Sequence, residues 1–239
     1  MLQDLKPLYG IALGATDGVI GHVKDFYFDD SSWKVRYLVA DTGTWLAERQ
    51  VLLSPHAFGS KAAVVFAGDD KALLVNLTRK QIEDSPSIDS HRPVSRQHEE
   101  EYFRYYGWAG YWQDGGLWDG AGIAVAPPPP LPAAPSHHGH NQRDDVHLRS
   151  TKAVTGYRIH ATDGEIGTVH SFLVDGKTWT IRELTVQTGH WYAGKTIQLL
   201  TKNITRIGND NSSVFVNLSR KDITETLRND VAQAGAGAR

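Results

Sequence analysis

Residues 15–47 read ATDGVIGHVKDFYFDDSSWKVRYLVADTGTWLA, and residues 161–193 read ATDGEIGTVHSFLVDGKTWTIRELTVQTGHWYA. From Gly10 to Leu53, 18 of 44 positions are identical at an offset of 146 residues, where unrelated sequences give roughly 3 from ordinary residue frequencies. A second block, VNLTRKQI at 75–82, matches VNLSRKDI at 216–223 at an offset of 141. Five residues are therefore missing from the second copy between the blocks, a loss that a surface loop near Ser60–Ala72 absorbs. A unit of about 75–80 residues has the size of a small domain, not of a solenoid repeat.

Each copy reads as mostly β. Thr16-Asp17-Gly18 and Thr162-Asp163-Gly164 are turn signals, because Asp-Gly supplies the backbone conformations that tight hairpins need. Branched and aromatic runs follow at Val19–Phe28, Trp33–Ala40, Trp45–Leu53, Ala62–Ala67 and Ala72–Leu77. The second copy repeats them at Glu165–Val174, Trp179–Gln187, Trp191–Leu199, Ile204–Ile207 and Val214–Leu218. Alternation with period two marks half-buried strands, and short strands about 10 residues apart predict a small barrel or sandwich. A short helix closes each copy. Thr78 with Gln81 has the form of a capping box, and Ser219 with Asp222 a weaker form of it.

The expected fold is therefore mainly β: two small antiparallel barrels in tandem, each with a short C-terminal helix, and a helical insert between them. The boundaries fall at 1–88 for the first barrel, 89–125 for the aromatic insert, 126–150 for a linker, 151–230 for the second barrel and 231–239 for a tail. Packed together as a pseudo-dimer, the barrels would bury apolar surface that one 80-residue unit leaves exposed. In the insert, Ser95 precedes RQHEEEYFRYY, which Gly107 stops, and Glu99, Glu100 and Glu101 sit early, where the helix dipole favours them. The linker APPPPLPAAPSHHGHNQRDDVHLRS holds six of the ten prolines and favours extended polyproline II.

Composition narrows the function. There are no cysteines, which removes disulfides, thiolate metal sites and cysteine nucleophiles. Net charge is −2, which argues against a globally basic nucleic-acid binder. The sequence has no signal-peptide pattern and no apolar run of spanning length, so the expectation is a cytoplasmic protein without an integral membrane segment.

The candidate interface is aromatic: Tyr102, Tyr105, Tyr106, Trp108, Tyr111, Trp112 and Trp118, with Phe103 among them. Tyr and Trp offer contact area at low entropy cost. Such a segment either docks a protein partner or a second copy of the chain, or packs over the chain's own sheet and covers an edge. Arg79-Lys80 and Arg220-Lys221 sit in the first turns of helices, an unfavourable place for positive charge, and are candidate anion contacts. Arg36 and Arg182, kept in both copies, suit an ion pair or stem packing better than anion binding. His137, His138, His140 and His147 read as a solvated linker in preference to a metal site. The copies share no histidine and no nucleophile elbow occurs, so no catalytic residue, cofactor or metal is assigned and no enzyme activity is expected.

Several stretches together resemble the PRC-barrel family. They are Gly18-x-Ile20-Gly21-x-Val23-x-Asp25, then Trp33-x-Val35-Arg36-Tyr37-Leu38-Val39-Ala40, and the closing Val75-Asn76-Leu77-Thr78-Arg79. The second copy shows Gly164-x-Ile166-Gly167-x-Val169, but Ser171 stands where the family often has aspartate. Pro93–Gln97 and Glu101–Trp108 are similar to tandem PRC-barrel proteins of bacteria. The best-known relatives are the cytoplasmic domain of the photosynthetic reaction-centre H subunit and the C-terminal domain of a 30S ribosome maturation factor. The resemblance implies a non-catalytic interaction module that assists assembly of a larger complex, with a ribosome-assembly or RNA-associated role as the alternative. Neither role carries over in full, since the sequence shows neither the H subunit's spanning helix nor the maturation factor's separate N-terminal domain.

Overall fold

The computed structural model describes residues 2–46, 50–58, 64–67, 70–86, 96–108, 147–192, 194–208 and 211–225. In chain order the elements begin with β1 (Leu2–Asp4), β2 (Ala12–Ala15), β3 (Gly18–Asp29), β4 (Val35–Asp41), β5 (Gln50–Leu53), β6 (Val64–Ala67) and β7 (Asp70–Leu74). Helices α1 (Arg79–Glu83) and α2 (Arg96–Tyr106) follow, then β8 (Leu148–Ser150) and α3 (Thr151–Val154). The second repeat holds β9 (Arg158–Ala161), β10 (Gly164–Asp175), β11 (Ile181–Thr188), β12 (Thr196–Leu200), β13 (Ile204–Gly208) and β14 (Ser213–Val216), with residues 220–225 helical. The fold is mainly β, as the alternation predicts.

The strands form two sheets of matching order. One runs β5-β4-β3-β2-β7-β6, the other β12-β11-β10-β9-β14-β13, and in each the β2–β7 or β9–β14 pair is parallel. The parallel pair departs from the expected wholly antiparallel barrel. Among the described residues the end strands of each sheet are not paired with one another, so a closed barrel is not defined. The long central strands carry the same bulge in both repeats, between Val23 and Asp25 and between Val169 and Ser171. Such a bulge increases local twist and bends the strand.

Gly21 and its counterpart Gly167 explain one feature of the repeated motif. Their φ values are +144° and +152°. A Cβ at either position would overlap the carbonyl oxygen of the facing strand, at Asp41 or Gln187. Only glycine lets the two backbones approach this closely.

The seventh strand of each sheet comes from the other repeat. β1 pairs with β10 in the register Leu2↔Asp175, Gln3↔Val174, Asp4↔Leu173. β8, from the stretch read as the end of the linker, pairs with β3 as Leu148↔Asp29, Arg149↔Phe28, Ser150↔Tyr27. Each pairing is the other shifted by the repeat offset. Where the repeats meet, Lys34 bridges Thr180, its own equivalent. The Val35 amide donates to the Trp179 carbonyl at 2.8 Å and the Ile181 amide to the Trp33 carbonyl at 2.7 Å. A position that pairs antiparallel with its own counterpart lies on a local two-fold axis. Trp33 and Trp179, expected as the first residues of strands, instead turn the chain beside this axis with φ of 59° and 53°.

The repeats share one apolar core. It runs from Leu5, Leu13, Phe26 and Phe28 into Ile159, Phe172, Ile181 and Leu184. Phe28 meets Phe172 with ring centroids 5.6 Å apart, and Phe58 stacks on Trp179 at 5.1 Å.

Candidate functional site

Helix α2 lies on the outer face of the first sheet. There Tyr37, Val39 and Leu52 form a second apolar cluster with Tyr102 and Phe103 of the helix. Tyr102 is fully buried and spends its hydroxyl on its own chain: it donates to the Leu52 carbonyl at 2.9 Å and accepts from the Ser54 amide at 3.1 Å. Burial pushes the Tyr102 phenol well above its ordinary value. The Tyr37 hydroxyl donates to the buried Glu99 carboxylate at 2.7 Å. In the second sheet Glu183, Thr185 and Gln198 stand at the equivalent places of Tyr37, Val39 and Leu52. The apolar shelf under α2 therefore belongs to the first repeat alone.

Beyond Tyr102 the aromatic residues turn outward by degrees. Tyr106 and Trp108 stack at 4.5 Å with ring planes 14° apart, and the His56 ring lies 5.6 Å from Trp108. Burial lowers the His56 pKa below the usual imidazole value. Tyr105 is 42% exposed, and both Tyr105 and Tyr106 donate to the Gln81 carbonyl, at 3.1 and 3.4 Å. That carbonyl ties α2 to α1. Gly107, with φ +68°, ends the helix, and the Trp108 amide caps it on the Phe103 carbonyl at 2.9 Å. Tyr111, Trp112 and Trp118 lie outside the described residues.

The candidate anion contacts have neighbours in their own chain. Asp17 of the first repeated turn accepts from the Arg79 amide at 2.7 Å, and Asp163 of the second accepts from the Arg220 amide at 2.9 Å. Each turn thus places a carboxylate at the start of a helix, which the dipole favours. This role for the Asp-Gly turns was absent from the sequence reading. Its signal was the joint repetition of ATDG and of Thr/Ser-Arg-Lys. The Arg79 guanidinium lies 4.5 Å from the Trp45 ring, and Arg220 Nη2 donates to the Glu165 carbonyl at 2.6 Å. Lys80 and Lys221 are exposed and face Asp84 and Glu225 one turn on, at 3.6 and 3.8 Å. Both capping boxes form, Thr78 with Gln81 and Ser219 with Asp222.

Arg36 pairs with Asp29 at 2.7 Å, both largely buried. Burial alone would push the Asp29 carboxyl up. The Ser31 hydroxyl, the Ser32 amide and hydroxyl, and Arg36 outweigh it and hold the group at about 2. Asp30 receives His147 Nδ1 at 2.8 Å and Arg149 Nε at 2.7 Å, so one linker histidine clasps the first repeat. His137, His138 and His140 lie outside the described residues. Among the described residues no cluster of three or more His, Asp or Glu is placed to hold a metal ion. No helix among them is long and apolar enough to cross a membrane.

No curated protein matches the chain. Against protein families, the stretch from Ala12 in β2 to Gln81 in α1 matches, taking in strands β2 to β7 and the start of α1 but not the second repeat. A PRC-barrel domain is thus found at residues 12–81.

Proposed function

We propose that the chain is a non-enzymatic, cytoplasmic protein-interaction module built from two copies of the PRC-barrel unit. It binds a protein partner and assists assembly of a larger complex of the membrane electron-transport or photosynthetic type. One observation carries this reading: on a helix anchored to its own sheet by Tyr102 and Phe103, Tyr105 is exposed, and Tyr106 and, just past the helix end, Trp108 are half-buried beside it. Anchoring on one face while presenting aromatic area on the other suits a docking hot spot. The matching strand order of the two sheets supports reading the second repeat as another PRC unit.

The test is sedimentation of a gentle lysate carrying the tagged full chain, membranes separated. Wild type is expected to travel with a larger assembly, and the Tyr105→Ala, Trp108→Ala double variant to return to its own size. A wild-type chain that sediments alone, or a double variant that still co-migrates, overturns the reading. Co-migration with the small ribosomal subunit that dissolves with added salt and on Arg79→Ala would favour the RNA-associated alternative instead.

A further inference from the structure

The two exchanged strands are not held equally. β8 is clasped to the first sheet by a dense set of side chains. Asp25 accepts from Ser150 Oγ at 2.5 Å, from Thr151 Oγ1 at 3.0 Å and from the Lys152 amide at 3.1 Å. Asp30 adds the contacts to His147 and Arg149. Leu148 packs against the aromatic cluster under α2. At the equivalent places of the second repeat, Gly176 stands for Asp30, Gln3 for Arg149 and Ser171 for Asp25. β1 is held there by Asp4 with Ser171, by an exposed contact between Lys6 Nζ and His170 Nε2 at 2.8 Å, and by Leu5. Leu5 is fully buried, and its amide donates to the Phe172 carbonyl at 3.0 Å. Leu2, the counterpart of Leu148, is 43% exposed.

We infer that the edge of β10 over Phe172–Asp175 is an exchangeable strand-addition site. The chain's own Leu2–Leu5 occupies it, and it accepts an extended partner segment carrying aspartate followed by leucine. Backbone pairing supplies affinity in such a site and the side-chain seats supply selectivity. The register is set by the occupant present: the carboxylate meets the Ser171 hydroxyl, the leucine fills the buried seat, and the residue two places before the aspartate stays half-exposed. The site is formed by different residues from the aromatic face of α2, so either can fail without the other.

Two measurements on the full chain test it. In hydrogen exchange of wild type, the amides of β1 and of Leu5 are expected to open roughly tenfold or more faster than those of β8. Equal protection of the two strands overturns the inference. In the second, a labelled peptide of residues 1–8, MLQDLKPL, is titrated onto wild type and onto Leu5→Ala, which weakens the resident strand. Binding is expected to be at least tenfold tighter to the variant, and to be lost when Asp4 and Leu5 of the peptide are alanine. Ser171→Ala in the same chain should weaken it severalfold. A peptide of residues 147–154, which offers a serine at the aspartate position, should bind far less. Failure of MLQDLKPL to bind a folded Leu5→Ala chain, or equal binding of the two peptides, refutes the site. Dimers of the chain that the peptide dissolves support it and name a second copy as the occupant.

Discussion

Replacing Phe28 by alanine tests whether the repeats are one folding unit. Phe28 is fully buried and lies between Trp33 of its own repeat, at 5.5 Å, and Phe172 of the other, at 5.6 Å. Removing a buried phenylalanine costs about 3–5 kcal/mol, from lost transfer energy and the cavity left behind. With a urea slope of about 2–3 kcal/mol per molar for a chain of this size, the midpoint should fall by about 1.5 M. The informative point is where that fall is felt. The core is continuous, each sheet borrows a strand from the other repeat, and Lys34 bridges Thr180 at the junction. The second repeat should therefore lose its structure at the same lowered midpoint as the first. Hydrogen exchange read by mass spectrometry along a urea series resolves the two, using peptides from β3 and from β11. If the β11 peptides keep the wild-type midpoint while those of β3 shift, the repeats unfold independently and the coupling argued from the exchanged strands is refuted.

Two further predictions concern single residues. Asp29 ionises at about 2 against an ordinary 3.8, so its charged form stabilises the fold by about 2 kcal/mol above the ordinary value. Asp29→Asn should lose that amount at pH 7, and its gap from wild type should close as pH falls from about 5 to about 2 in paired denaturation curves; a pH-independent gap contradicts the assignment. Gly21→Ala should cost about 3 kcal/mol or more, from overlap with the Asp41 carbonyl and a φ closed to alanine. Gly43→Ala, at φ +54° with open space around it, should cost only about 1 kcal/mol, and equal losses in thermal melts would remove close strand approach as the reason for Gly21.

Much of the local structure was legible because its causes are local. The repeat was visible by inspection, both capping boxes by the spacing of Thr78 and Gln81 and of Ser219 and Asp222, and the end of α2 by Gly107. The strands that escaped notice are those whose partners lie far away. Three residues such as Leu2–Asp4 or Leu148–Ser150 are too few to show any period, and they gain pairing only across the repeat boundary. β2 and β9, reading ALGA and RIHA, are four residues each, too short for a period to stand out. Trp33 looked like the start of a strand because it is large and aromatic, yet its backbone is set by the junction with Trp179. For the candidate site, the aromatic content of 102–118 was plain. Its division into an anchoring side and an outward side depended on the shelf of Tyr37, Val39 and Leu52 in another part of the chain.

One departure from symmetry explains why the repeats pair with each other within the chain. In the first sheet the bulged strand offers a carboxylate, Asp25, and the incoming strand a hydroxyl, Ser150. In the second sheet the roles reverse: the bulged strand offers the Ser171 hydroxyl and the incoming strand the Asp4 carboxylate. Consider two first repeats meeting through the same junction. Asp4 would then face Asp25, setting two like charges against each other with no hydroxyl donor between them. Two second repeats would set Ser150 against Ser171 and leave no charge-assisted bond in either sheet. Only the mixed pair gives both sheets a carboxylate with a hydroxyl donor. Ser171, at the place of Asp25 in the second repeat, is thus balanced by Asp4 on the strand it receives, and this mixed pairing disfavours like-with-like association.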